Sequence, residues 1–345
     1  MTPAVTPTVT FFNNKGGVGK TTLVYHLAWM LSELDVPVLA VDLDPQANLT
    51  SVLLDDDRVE ALWCDGDRSI FGALRPLLEG EGGVGVATVE EVTTNLHLVP
   101  GDLLLSGAEQ ELSAQWPNAV DGQPRAFRVE SAFAQVIKSA AEAVGAQVVL
   151  VDVGPNLGAI NRAAMVATDH VVVPLSPDLY SLQGLRNLGP TLERWRGEWQ
   201  DRLERKPSSM DWWLPSGSMQ PAGYVVLQHG VRLDRVVGAY DRWLRRIPGE
   251  YRASVLQEDA TDAGAVEGDP QCLGLLKHYH SLAPMAQEAR KPVFLLRSAD
   301  GAIGAHQRSV QDAYGHFEQL GARILRKVGL GGLVPERAGT GGVPS

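Results

Sequence analysis

The stretch Asn14-Lys15-Gly16-Gly17-Val18-Gly19-Lys20-Thr21-Thr22 follows an apolar run at residues 9–12 and precedes an amphipathic stretch at residues 20–34. In the latter, Leu23, Leu27, Met30 and Leu31 recur at helical spacing, so the three pieces predict a strand, a glycine-rich turn and a helix. Glycines let successive backbone N–H groups curl around phosphate, and the helix N-terminus adds the positive end of its dipole. In such a loop Lys20 reaches the outer phosphates of a nucleotide and the Thr21 hydroxyl ligates magnesium. The strict pattern has glycine where Asn14 stands. Asparagine tolerates left-handed backbone angles better than other side chains, so the turn is expected to survive.

Working outward, uninterrupted apolar runs recur at residues 38–41, 96–99, 148–151, 171–174 and 224–227, with helical stretches between them. Runs without polar alternation belong to strands buried on both faces. They predict an α/β fold: a mostly parallel, doubly wound sheet with helices on both faces. Two of these runs end in carboxylates, Asp42 and Asp44 in the first and Asp152 in the other. Acidic residues at neighbouring strand ends beside a phosphate loop are placed to hold Mg²⁺ and to position water.

Residues 55–70 (DDDRVEALWCDGDRSI) are acidic and read as an irregular surface excursion. Residues 203–222 (LERKPSSMDWWLPSGSMQPA) carry three prolines and two adjacent tryptophans and read as an insertion loop. With no internal repeat and no clean linker, the expected organisation is a single domain over residues 1–330 and a flexible tail over 331–345.

Composition narrows the function classes. Of 345 residues, 44% are hydrophobic and 21% charged, which is ordinary for a folded globular chain. The formal net charge is −11, so any contact with nucleic acid has to come from a local basic patch. Cys64 and Cys272 lie far apart outside any CxxC spacing, which argues against a disulfide framework, a zinc site or an iron–sulfur cluster. The N-terminus lacks the charged and apolar regions of a signal peptide, and no apolar run is long enough to span a bilayer. A cytoplasmic protein is expected. His278 and His280, with no further ligand pattern, read as surface residues.

Residues 15–22, KGGVGKTT, resemble the deviant Walker A motif of the ParA/MinD family. That resemblance implies ATP and Mg²⁺ as cofactors, and a Lys15 that crosses a homodimer interface to touch the partner's nucleotide. VLAVDLDPQANLTS at 38–51 resembles the family's second motif, VDxDPQxNxT. By that match Asp44 orients or deprotonates the attacking water, while Asp42 supports Lys20 and the magnesium. VVLVDVGPNLGAINRAAM at 148–165 resembles the family's Walker B segment, with Asp152 on the aspartate that holds magnesium; Gly154 and Ala163 depart from it. The likeness continues through VPGDLLLSGAEQEL, DHVVVPLSPDLYSLQGL, GYVVLQHGVR and EARKPVFLL, over residues 8 to 328. It places Gln228 beside the base, whereas LLKHYHSLAP matches the family poorly.

The resemblance implies a ParA-type positioning ATPase. ATP drives sandwich dimerisation, the dimer binds DNA non-specifically, and a ParB-like or adaptor partner stimulates hydrolysis. Catalysis would rest on Lys15, Lys20 and Asp44; metal binding on Thr21, Asp42 and Asp152. Arg232, Arg235, Arg242, Arg245 and Arg246 are spaced to gather several cations on one helical face for phosphate contacts. The cargo would be a chromosome, a plasmid or a protein assembly in a bacterial nucleoid. The alternative is a MinD-like membrane switch, which needs a C-terminal amphipathic helix; GARILRKVGLGGLV has some of that character but is cut short by Gly331, Gly332 and Pro335. A metabolic kinase has no use for Lys15 with DxDPQ, and a nitrogenase-type reductase needs cluster cysteines.

Overall fold

The computed structural model describes residues 6–64, 68–227, 241–259, 264–277, 279 and 281–334. Strands β1 (Thr8–Phe11), β2 (Val38–Asp42), β3 (Glu90–Thr93), β4 (Leu96–Val99), β5 (Val148–Asp152), β6 (His170–Leu175), β7 (Gln220–Leu227) and β8 (Cys272–Leu276) form one sheet. Their order is β3-β4-β2-β5-β1-β6-β7-β8. Every pairing is parallel except β3 with β4. β1, β2 and β5 are buried along their whole length, as a sheet covered on both faces requires.

Side chains alternate across the sheet and feed two cores. Val9, Phe11, Val148 and Leu150 face one side, packing with α1 (Lys20–Glu33), α2 (Asn48–Leu53) and α3 (Asp56–Cys64). Val149 and Val151 face the other, under α4 (Ile70–Leu78), α5 (Ala108–Asn118), α6 (Pro124–Glu130), α7 (Ala132–Val144), α8 (Ala159–Val166) and α9 (Leu179–Glu204). The long C-terminal helix of the described chain, Ala305–Lys327, returns to the first side and lies along α1. Further α-helices between α9 and that one, among the described residues, are labelled α10 (Ile247–Tyr251) and α11 (Ala283–Ala289), and the long one α12. The α1 stripe expected from sequence, Leu23, Leu27, Met30 and Leu31, is buried throughout.

Three expectations are corrected. Within 55–70, residues Asp56–Cys64 form α3: Asp56 and Asp57 complement the helix dipole in its first turn, and Val59 and Leu62, three apart, are buried. β3 and β8 went unread; β3 is a polar edge strand whose Glu90 is gripped by Arg58 (2.6 Å) and Arg68 (2.9 Å). Asn14 does not have a positive φ, and the left-handed positions of the loop are Gly17 (φ 73°) and Gly19 (φ 80°). The segment after α9 packs back onto the fold: Trp199 donates to the Pro215 carbonyl at 3.0 Å, Met210 and Met219 are buried, and Arg128 stacks on Trp212 at 4.4 Å.

Candidate functional site

The sheet topology sets β1 between β5 and β6, with β2 on the far side of β5, so the loops leaving these strands meet at one edge. Phe11 and Asp42 both stand opposite Asp152 in register. The three sequence motifs therefore converge. The loop from β1 is stapled before its first glycine: Asn13 Nδ2 donates to the Pro174 carbonyl of β6 (2.7 Å), and Asn13 Oδ1 accepts from the Lys15 amide (2.9 Å). Asn13 is buried and was not foreseen. Gly19, left-handed and leading straight into α1, opens that helix with its amides free of side-chain caps, the arrangement that receives an anion.

Beneath the loop sit the charges. Lys20 is buried, which lowers its pKa; the carboxylates of Asp152 and then Asp44 pull it back up. Asp152 is fully buried, and neither carboxylate oxygen has a hydrogen-bond partner of good geometry. Burial first, then the charge of Asp42, pushes its carboxyl well above the usual carboxylate range, while Thr21 and Lys20 oppose that shift. An orphaned buried carboxylate beside a threonine hydroxyl fits a hard cation. Among the described residues no three His, Cys, Asp or Glu side chains cluster as a self-sufficient metal cage. A P-loop magnesium takes much of its coordination from phosphate and water, so none is needed.

Asp42 is also fully buried, and burial raises its pKa. Its oxygens take three hydrogen bonds from the neighbouring chain. Oδ2 accepts from the Thr50 amide and hydroxyl, both at 2.8 Å, and Oδ1 from the Asp44 amide at 3.2 Å. Gly101 leaves room for it, since a Cβ there would fall 2.8 Å from the Asp42 carboxyl carbon. Asp44 receives the Gln46 amide on Oδ1 (3.0 Å), and a Cβ on Gly154 would lie 3.4 Å from that oxygen. A side chain at Gly154 would meet the Asp44 carboxylate only at ordinary contact distance, so the departure there leaves the room for Asp44 unchanged. The loop after β5 is held by Asn161, whose Nδ2 donates to the carbonyls of Gly154 (2.8 Å) and Asn156 (2.6 Å). Glu109 receives the amides of Ala159 (2.6 Å) and Ile160 (2.9 Å) at the start of α8. Neither residue was read as part of the site; Asn161 holds its second carboxylate strand end from within the same motif, and Glu109 from 50 residues away.

Lys15 Nζ is paired with Asp178 of its own chain and lies 5.9 Å from the centroid of the Tyr180 ring. Asp178 also begins α9, its Oδ1 accepting from the Ser181 amide (2.8 Å). Leu179 and Tyr180, which follow it in the chain, are exposed, and so is Leu157.

A cavity of about 760 Å³ runs from Gly17, Val18, Gly19, Thr21 and Thr22 to Leu227, Leu276, Tyr279 and Ala286. His26 lies in its wall. Val293 N–H donates to Nε2 (3.2 Å), so the proton is on Nδ1, which donates to the Thr22 carbonyl (2.7 Å). Burial lowers the His26 pKa to about 4, so the ring is neutral and ties the first turn of α1 to residues 292–295.

Arg242, Arg245 and Arg246 are exposed, with the guanidinium groups of Arg242 and Arg246 at 4.8 and 5.0 Å from the Trp243 ring. Gln228, Arg232 and Arg235 lie outside the described residues, as do His278 and His280.

The AAA domain family model matches residues 6–205. The chain is 35% identical over 198 residues to the chromosome partitioning protein ParA of Caulobacter vibrioides, covering 56% of this chain and 64% of that one. It is 35% identical over 191 residues to the chromosome-partitioning ATPase Soj of Thermus thermophilus, covering 55% and 63%. The matched region thus spans a little under two thirds of these relatives' length. A Corynebacterium diphtheriae protein shares the fold at a TM-score of 0.64 with 23% identity, over 93% of this chain and 98% of that one. A plasmid partition protein of Borrelia burgdorferi bound to AMPPNP does so at 0.55 with 17% identity, over 93% and 99%. The chain belongs to the AAA domain family, as a P-loop protein of the ParA/Soj partition type.

Proposed function

We propose that the chain binds and slowly hydrolyses Mg-ATP at residues 14–22, and that ATP joins two copies into a sandwich dimer that binds DNA without sequence preference. A ParB-like or adaptor partner accelerates hydrolysis and so releases the dimer, moving a chromosome, plasmid or other cargo in a bacterial cytoplasm. The observation that carries the reading is the convergence of Lys20, Asp44 and the unpartnered Asp152 carboxylate beneath a loop of free amides at a helix N-terminus.

The geometry supports the following roles. Lys20 neutralises the outer phosphates, the Thr21 hydroxyl and Asp152 hold magnesium, and Asp44 orients the attacking water. Magnesium, when bound, spreads the charge that develops on the phosphate oxygens. Asp42, which already takes three hydrogen bonds, positions the turn that carries Asp44 and supports the Lys20 and magnesium environment from there. Arg242, Arg245 and Arg246 form the described part of the DNA surface, a local patch on an acidic chain. The membrane-switch alternative draws no support from α12, because its apolar residues Phe317, Leu320, Ile324 and Leu325 are spent on the core beside α1.

An electrophoretic shift on unrelated DNA, run with ATP, ADP and no nucleotide, tests the reading alongside a phosphate-release assay. Retardation with ATP alone, falling steeply with salt, is expected. Absence of magnesium-dependent ATP hydrolysis with DNA present, or identical shifts in all three states, would refute it.

A further inference from the structure

The cavity has the glycine loop at one end and, past Leu227, residues of the 275–284 segment, which departs from the family pattern. Among the described residues, the rings of Tyr25, His26, Tyr279 and Phe317 line this cavity. Tyr25, His26 and Phe317 are only 8%, 7% and 4% exposed, because they are packed into the core beneath it. Tyr279 is half-buried. Its ring is fixed from behind: the hydroxyl is 2.6 Å from His316 Nδ1, and the ring leans on Phe317 with centroids 6.5 Å apart. Burial lowers the His316 pKa and raises that of Tyr279, so the phenol donates and the neutral imidazole accepts.

A ring held at its tip and back, bordering an apolar recess beside a phosphate loop, has the attributes of a stacking platform for a flat heterocycle. Leu227, Leu276, Ala283 and Ala286 complete an apolar border. On the reading that this cavity is the nucleotide site, we propose that Tyr279 is the stacking wall for the purine base, with His316 as the positioning residue that sets its ring. Stacking recognises a π-face and not a hydrogen-bonding edge, so Tyr279 contributes to affinity for adenine and guanine nucleotides alike.

The experiment measures binding of Mg-ATP and of magnesium tripolyphosphate, which has the phosphates and no base, to wild type, Tyr279→Leu, Tyr279→Phe and His316→Ala by calorimetry. Tyr279→Leu is expected to weaken ATP about tenfold, within the range for one base on one ring, and to leave tripolyphosphate unchanged. Tyr279→Phe keeps the ring and stays within about threefold of wild type, and His316→Ala falls between, again for ATP only. Wild-type ATP affinity in Tyr279→Leu overturns the proposal. Equal loss of both ligands overturns it too, because Tyr279 would then act by shaping the site as a whole. Failure of wild type to bind either ligand would remove the nucleotide-site reading itself.

Discussion

Lys15 is held in its own chain by an ion pair with Asp178, yet the proposed dimer needs it at the partner's nucleotide, so the cost of releasing it can be set against the gain. The two side chains are 27% and 35% exposed, which makes this a surface-like pair worth about 0.2–1 kcal/mol. The Tyr180 ring adds at most about 0.5 kcal/mol at that distance. A charge contact made in a desolvated interface is worth about 1.5–7 kcal/mol, so the exchange favours the dimer once ATP is present. Asp178→Asn isolates the term. Asparagine keeps the Oδ1 that receives the Ser181 amide, and it caps helices as well as aspartate, so α9 and the monomer's stability should hold. Two such pairs break per dimer, so removing them should tighten ATP-dependent dimerisation about 2- to 30-fold. Lys15→Ala should retain monomeric ATP binding and lose the dimer. Sedimentation with ATP, on an Asp44→Ala background that keeps the nucleotide intact, reads both. A weaker dimer in Asp178→Asn would show that Asp178 serves the assembled state, and an unimpaired dimer in Lys15→Ala would end the case for a trans lysine.

Lys20→Ala or Thr21→Ala should abolish Mg-ATP binding by calorimetry, since one removes the buried phosphate-facing charge and the other a magnesium ligand; unchanged affinity in either would be decisive against the site. Asp44→Ala should bind ATP normally while phosphate release falls about 100-fold, the usual scale for a residue that handles the proton of the nucleophile; wild-type turnover would leave Asp44 a purely structural role. Asp152→Asn should melt higher than wild type without nucleotide, because it removes a buried carboxyl whose charged form is opposed first by burial and then by Asp42, a gain of about 1–3 kcal/mol that outweighs the loss of one of two carboxylates facing Lys20. The same variant should lose the thermal shift that Mg-ATP gives, and a lower apo melting temperature would show that the buried carboxylate is satisfied after all. Replacing Arg245 and Arg246 with glutamine should weaken DNA retardation at least tenfold and, with two charges lost from each subunit of the dimer, flatten its salt dependence by about three to four units of slope, with ATP-dependent dimerisation intact; normal retardation would move the DNA surface elsewhere.

What the sequence made legible divides along a physical line. That the loop at residues 14–22, Asp44 and Asp152 would meet could be read because each directly follows a strand whose apolar run announces burial on both faces. The residues that hold them could not. Asn13 finds its partner 161 positions away at Pro174, Glu109 caps a helix 50 positions on, and Lys15 meets Asp178 across 163. Each pairing exists only because the sheet order puts β6 beside β1 and α5 beside α8, and no local spacing encodes that. β3 and β8 escaped for a related reason. One is a polar four-residue edge strand whose pairing is secured by Arg58 and Arg68 from elsewhere, and the other is five residues long with Gly274 at its centre. α3 is different, because its signals were present in Asp56, Asp57, Val59 and Leu62 and were outweighed by the acidity of the surrounding stretch. The Asn14 reading failed on backbone grounds: the left-handed turns this loop needs fall on Gly17 and Gly19, so asparagine at 14 needs no special φ. The departure from the strict glycine pattern is therefore conformationally neutral, and the loop's distinctive lysine one residue later is free to be shaped by what it pairs with, Asp178 in the single chain and, on the proposed mechanism, phosphate across the dimer.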